Sequence, residues 1–199
     1  MQEKMIITIS RQFGSGGKEI GEILAEKMGV RCYDRQILYL AAEKMGDTDV
    51  DIESILESAY QTPDSSIGSM GAYGFEAVPY YNKMFREQAK AILKIADKGS
   101  AVFLGRCADA VLKDAPDCYS FFIYADEEFR GERAKTHYGS QSLKELEKEN
   151  KTRERYYNYY TGQKWGDPQN YDLMINTSKI SLDAAADLIL DYIVKRKEV

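Results

Sequence analysis

Residues 5–29 read MIITIS RQFGSGG KEIGEILAEKMG, and this stretch decides the fold. Met5 to Ser10 is a short run rich in β-branched side chains between charged and glycine-rich sequence, which predicts a buried strand. Arg11 to Gly17 is a glycine-rich turn. From Lys18 onward Ile20, Ile23, Leu24 and Met28 recur on one face of a helix that stops at Gly29. In an open parallel sheet the first strand-to-helix turn is a favoured ligand site. Glycines let the chain adopt positive φ and bring backbone N–H groups close to phosphate oxygens, and the helix N-terminus adds its dipole. Gly14, Ser15, Gly16, Gly17 and Lys18 are therefore the candidate phosphate cradle, with Lys18 as a mobile point charge.

The rest of the chain repeats the alternation. Val30 to Tyr33 predicts a second strand, and residues 34–45 a helix with Ile37, Leu38, Leu40 and Ala41 facing inward. A further helix is expected near 50–60, and a Ser-, Gly- and Pro-rich loop over 61–73. A long amphipathic helix follows over about 78–97, then a strand over Ser100 to Leu104 with Gly105-Arg106 at its carboxyl end. Tyr119 to Ala125 is the next strand, and Asp126, Glu127 and Glu128 open a helix as acidic residues favour. Residues 143–160 are helical, Tyr171 to Ile175 forms a last strand and 182–195 a last helix. Strands alternating with helices imply an α/β architecture with a parallel sheet covered on both faces.

Composition narrows the function. The chain has 199 residues, 44% hydrophobic and 30% charged, enough for one core without staples. A net charge of −5 argues against a broad surface for polymeric nucleic acid, though a local arginine cluster can still hold a small phosphorylated ligand. No apolar run approaches the ~20 residues of a bilayer span, so no membrane partner is expected. The first residues lack an apolar signal core, and Cys32, Cys107 and Cys118 are scattered without metal-ligand spacing. A cytoplasmic location and no protein-held metal are the expectations. His137, the single histidine, reads as the surface end of a helix, so chemistry through a histidine base is not expected.

The loop departs from G-x-x-x-x-G-K-[ST]: Gln12 stands at the first glycine, and Glu19 and Ile20 where a magnesium-ligating hydroxyl is expected. Arginines form the second constellation. Arg106 leaves the third strand beside the loop, Arg130 and Arg133 lie one turn apart, and Lys151, Arg153 and Arg155 precede the tyrosines. Phosphoryl transfer asks mainly for positioning and charge neutralisation, which converging arginines supply. The bland alternative is solvated faces paired with Glu132, Glu149 and Glu154. Tyr156, Tyr157, Tyr159 and Tyr160 read as packing rings, with base stacking as the alternative.

The chain resembles the cytidylate kinase-like family of P-loop nucleoside monophosphate kinases over nearly its whole length. The resemblance rests on ISRQFGSGGKEIGEILAEKMG (Ile9 to Gly29), Tyr33-Asp34, LGRCADAVLKDAPDCYSFFIYADEEFRGERA (Leu104 to Ala134) and RERYYNYYTGQKWGDPQNYDLMINTSKIS (Arg153 to Ser181). It implies one domain over 1–199: a three-layer P-loop fold with a five-stranded parallel sheet, a helical monophosphate-binding insertion over 34–75 and a lid over 130–168. It implies ATP with Mg2+ as donor and a nucleoside monophosphate such as CMP as acceptor, with homo-oligomerisation left open. By position, Gly14 to Lys18 would cradle ATP, and Arg106 would contact the acceptor phosphate. Arg130, Arg133 and Arg153 would belong to the lid, with Lys18, Arg133 and Arg153 catalytic and Arg130 on the substrate side. Asp34 would open the acceptor region, with Arg155 and Asp109 as further substrate-side residues. Cys107 stands where the family has aspartate after Arg106. Two alternatives remain: a nucleotide-binding sensor with little catalysis, and a kinase for another small acceptor.

Overall fold

The computed structural model describes residues 3–46, 60, 62, 74–137, 139 and 142–198. Five strands form one parallel sheet: β1 (Ile6–Arg11), β2 (Cys32–Tyr33), β3 (Ala101–Leu104), β4 (Cys118–Tyr124) and β5 (Leu173–Asn176), in the spatial order β2-β3-β1-β4-β5. The helices are α1 (Gly17–Met28), α2 (Gln36–Met45), α3 (Gly74–Lys98), α4 (Ala108–Val111), α5 (Glu127–His137), α6 (Leu143–Thr161) and α7 (Leu182–Arg196). β1 is central, pairing Ile6 to Ile9 with Ala101 to Leu104 on one side and Ile6 to Arg11 with Cys118 to Ile123 on the other.

Every residue of β1 is buried, as expected for a strand covered on both faces. Successive side chains point to opposite faces. Ile7 and Ile9 pack with Ile20 and Leu24 of α1 and Ile189 and Ile193 of α7. Ile6 joins Phe103, Ile37, Ile92 of α3 and Ala108 of α4 on the other face. Each of these fully buried aliphatic side chains contributes about 1.5–3 kcal/mol, which makes the central strand the most firmly held element.

This layering fixes where a ligand can sit. β1 and β3 are neighbours, yet β1 runs into α1 on one face and β3 into α4 on the other. Chain departing in opposite directions opens a crevice at the carboxyl ends of these two strands, the topological switch point.

Most expected elements are present with shifted ends. β2 shrinks to two residues, and α3 starts earlier than the apolar pattern predicts. Leu40 was expected to face inward and is instead exposed, while Ala42 takes the buried position on α2. The short helix α4 is an addition, too brief to leave a periodic signal. The helix expected near 50–60 and the loop over 61–73 lie outside the described residues, apart from Tyr60 and Thr62. Among the described residues no helix is long and apolar enough to cross a membrane.

Candidate active site

The glycine turn between β1 and α1 is built to present backbone. Gly14 and Gly16 have φ of +83° and +80°, a region costly to side chains with a Cβ. Gly16 precedes α1 without any side-chain cap, so the N–H groups of the first turn are open to an anion. The turn is held from several sides. Ser15 Oγ donates to the Gln12 carbonyl at 2.9 Å, and Thr177 Oγ1 donates to the Ser15 carbonyl at 2.7 Å. The Phe13 N–H donates to Asn150 Oδ1 of α6 at 2.7 Å.

Beside it, Gly105, Arg106 and Cys107 adopt consecutive left-handed conformations, with φ of +67°, +59° and +56°. Two non-glycine residues in that region cost of order 1–3 kcal/mol each, and such strain persists where the surroundings over-determine it. The turn directs the buried Arg106 guanidinium over the Tyr60 ring, 4.3 Å from its centroid. Arg153, from α6, donates to the Arg11 carbonyl at 3.0 Å and stacks 5.0 Å from the Phe13 ring. Arg11, the last residue of β1, is itself buried and lies 3.6 Å from Asp34 Oδ1. A cavity of about 20 Å3 at this point is lined by Arg11, Arg106, Arg153, Tyr60, Tyr156 and Trp165, among others. That is room for roughly one water molecule, so a phosphate enters only if these side chains part.

Electrostatics record the crowding. Burial, and then the charge of Arg11, pull Arg153 down to about 10. Burial works against the Arg11 charge as well, but Tyr60 and Asp34 outweigh it and hold Arg11 above its ordinary value. Burial disfavours the Tyr60 phenolate, yet Arg106, Arg11 and Arg153 together bring that phenol below its usual range. One ring thus sits in the field of three guanidinium groups.

The other expected residues are placed differently. Lys18 is 58% exposed and reaches Glu22 Oε1 at 3.6 Å along α1, and it does not line the arginine cavity. Arg130 is buried behind Gly14, donating to the Ala125 carbonyl at 3.1 Å and pairing with Glu147 at 2.6 Å. Arg133 pairs with Glu19, the residue standing at the expected hydroxyl position. Both arginines are ion-paired, but with Glu147 and Glu19 rather than the partners the sequence suggested; Glu132 binds Lys135. Arg155 is exposed and outside the cluster. Asp109 is buried, accepts a bond from the Tyr157 hydroxyl at 2.7 Å and borders a separate cavity of about 260 Å3. Burial pushes its carboxyl up to about 6.

The tyrosines pack. Tyr156 and Tyr157 are buried, and Tyr156 makes edge contacts with Tyr60, Phe85 and Tyr160. The Trp165 ring stands edge-on to Phe122, centroids 5.1 Å apart. Among the described residues no group of three His, Cys, Asp or Glu side chains is placed to hold a metal ion. Arg11 and Tyr60 were missed by sequence reading. A cation at the last strand position before a glycine turn is the signal that could have found the first.

A strand–glycine turn–helix joined to a Gly-Arg strand end and arginines from two later helices is matched by a family model over residues 6–179, described as the cytidylate kinase-like family. The chain belongs to that family. As a cytidylate kinase-like chain, it is 30% identical to an uncharacterized protein from Eubacterium ventriosum ATCC 27560, with a TM-score of 0.72, covering 96% of this chain and 99% of that one. A gluconokinase from Sinorhizobium meliloti 1021 shares the fold at a TM-score of 0.57 and 14% identity, over 100% of this chain and 96% of the other. A shikimate kinase from Acinetobacter baumannii, solved in complex with shikimate, does so at 0.50 and 16%, over 98% and 94%. No curated protein matches the sequence. The family is kinase-like, and the fold is one that a gluconokinase and a shikimate kinase share.

Proposed function

We propose that this cytidylate kinase-like chain transfers the γ-phosphoryl group of ATP to a nucleoside monophosphate, CMP first among them. The observation that carries the reading is the meeting of Arg11, Arg106 and Arg153 around Tyr60, at the crevice between β1 and β3 and beside an uncapped helix N-terminus. Two phosphate groups brought together need that density of donors and positive charge.

In this mechanism the amides of Gly14 to Gly17 and the start of α1 hold the donor's phosphates. Lys18 reaches them only by leaving Glu22. Arg106 grips the acceptor phosphate, with Asp34 at the mouth of the acceptor side. Arg153 and Arg133 neutralise charge on the transferred group, Arg133 after exchanging Glu19 for phosphate. Arg130 supports the loop from behind, Arg155 is exposed outside the cluster, and Asp109 is buried against Tyr157 beside the neighbouring cavity. The attacking atom is already an anionic phosphate oxygen, so transfer runs in line without a general base. Magnesium would arrive coordinated by the nucleotide's phosphates and water. Residues 34–75 would form the acceptor insertion and 130–168 the lid, in a chain working in the cytoplasm.

A steady-state screen of ATP against CMP, dCMP, UMP, AMP and GMP, following ADP, tests the reading. Turnover with CMP above the other acceptors is expected. Turnover confined to one of the other four would replace CMP as the acceptor. ATP binding without turnover on any acceptor would favour the sensor reading, which the Glu19–Arg133 pair specifically supports.

A further inference from the structure

Two glycines, Gly17 and Gly105, face one side chain, that of Arg11. Gly17 is an ordinary helical residue, so its φ does not demand glycine. A Cβ there would nevertheless lie 2.6 Å from Arg11 Cβ and 3.0 Å from Arg11 Cγ. At Gly105 a Cβ would lie 2.2 Å from Arg11 Nη1. The Arg11 side chain therefore runs from the N-terminus of α1 to the turn after β3, through space that both loops leave clear. It spans the gap between the turn expected to hold the donor and the turn that carries Arg106.

Among the described residues its side-chain partners are a carboxylate and a phenol. Asp34 Oδ1 stands at 3.6 Å, longer than the 2.7–2.9 Å of a charge-assisted hydrogen bond. Arg11 is also hydrogen-bonded to the Tyr60 side chain, an oxygen in the place a ligand oxygen could take. Arg153, bonded to the Arg11 carbonyl, adds a second positive charge nearby rather than an anion. Buried charges are expensive unless tightly paired. A doubly charged phosphate group between these guanidinium groups would satisfy them better than a phenol and one distant carboxylate.

We propose that Arg11, rather than Lys18, is the side chain that contacts the phosphate chain of the donor, with Asp34 and Tyr60 holding it while no ligand is bound. The inference rests on the nucleotide-binding reading of the same site and deepens it. Arginine suits the position because its planar fork can bridge oxygens of two phosphate groups, which a lysine point charge cannot do.

Calorimetric titration of the full chain with inorganic tripolyphosphate and with Mg2+–ATP tests this. Arg11→Met is expected to lose roughly tenfold or more in affinity for both probes, the scale of one charge-assisted contact. Arg11→Lys should recover part of that, and Lys18→Met should lose less than Arg11→Met. A folded Arg11→Met that binds both probes like the wild type, or a Lys18→Met that loses more, overturns the inference alone. A wild-type chain that binds neither probe overturns the nucleotide-binding reading and the inference together. If Arg11→Met does not fold, Asp34→Asn decides, because it removes the resting partner and leaves Arg11 in place. Tripolyphosphate affinity above wild type in Asp34→Asn supports the proposal, and affinity at or below wild type contradicts it.

Discussion

The arginines of this chain fall into two sets held in different ways. The outer set, Arg130 and Arg133 on α5, is ion-paired with carboxylates: Glu147 from α6 for the first and Glu19 from α1 for the second. The inner set, Arg11, Arg106 and Arg153, gathers around an aromatic ring, a backbone carbonyl and a carboxylate at 3.6 Å. A guanidinium already gripping a carboxylate has to give that contact up before it serves a phosphate, and the exchange returns little net energy. Arg11, whose carboxylate partner stands at 3.6 Å, has less to surrender. The inner set is thus arranged to receive an anion directly, and the outer set to respond once one has arrived.

The largest test removes an inner arginine. Arg153→Met should lower kcat by about 10²–10³, the usual loss when a donor aimed at developing charge is deleted. Steady-state kinetics at saturating ATP and acceptor measure it. A fall of threefold or less would move Arg153 into the supporting cast. Arg106→Lys sharpens the contrast within the inner set. Lysine keeps the charge but loses the fork, so the acceptor KM should rise roughly tenfold while the ATP KM holds. Equal increases in both constants would put Arg106 on the donor side.

Much of this arrangement was legible from residues 5–29 alone, because the strand, the glycine turn and the helix each carry their own local pattern. Arg106 was legible as well, since a Gly-Arg pair at a strand end already announces a turn beside the loop. Arg11 was not. It read as part of the glycine turn, and its place depends on side chains missing at Gly17 and Gly105, 88 positions apart in the sequence. The partners of the outer set were equally hidden, because Arg133 and Glu19 are separated by 114 residues and meet only through packing. Lys18 shows the converse. Its position in the motif suggested a role, while its side chain turns toward Glu22.

Asp109 extends the comparison below the inner set. Burial raises its folded-state value to about 6 from the ordinary 3.8, so the folded chain holds this proton more tightly than the unfolded chain. The stability it contributes is present in full below about pH 4 and is lost as pH rises to about 6. Asp109→Asn removes the cost of ionising it, and should gain in Tm over wild type by several degrees between pH 4 and pH 7, at roughly 2–4 °C per kcal/mol for a chain this size. Parallel Tm profiles for the two proteins across that range would contradict the assignment.

The smallest expected signal comes from Trp165, which lines the arginine cavity while its ring rests on Phe122. Admission of a phosphate requires the cavity to open, so ATP and acceptor together should shift Trp165 emission by more than the sum of their separate effects. Arg153→Ala should reduce that excess. Identical spectra at demonstrated saturation would mark Trp165 as fixed packing.

The division into two sets is tested most directly by thermal unfolding in increasing inorganic pyrophosphate, with wild type, Arg106→Met and Arg133→Met compared at one ionic strength. A ligand that binds only the folded chain raises its stability with the logarithm of concentration. Wild type should show that rise, Arg106→Met should lose most of it, and Arg133→Met should keep most of it. No rise in wild type, or equal loss in the two variants, would contradict the account.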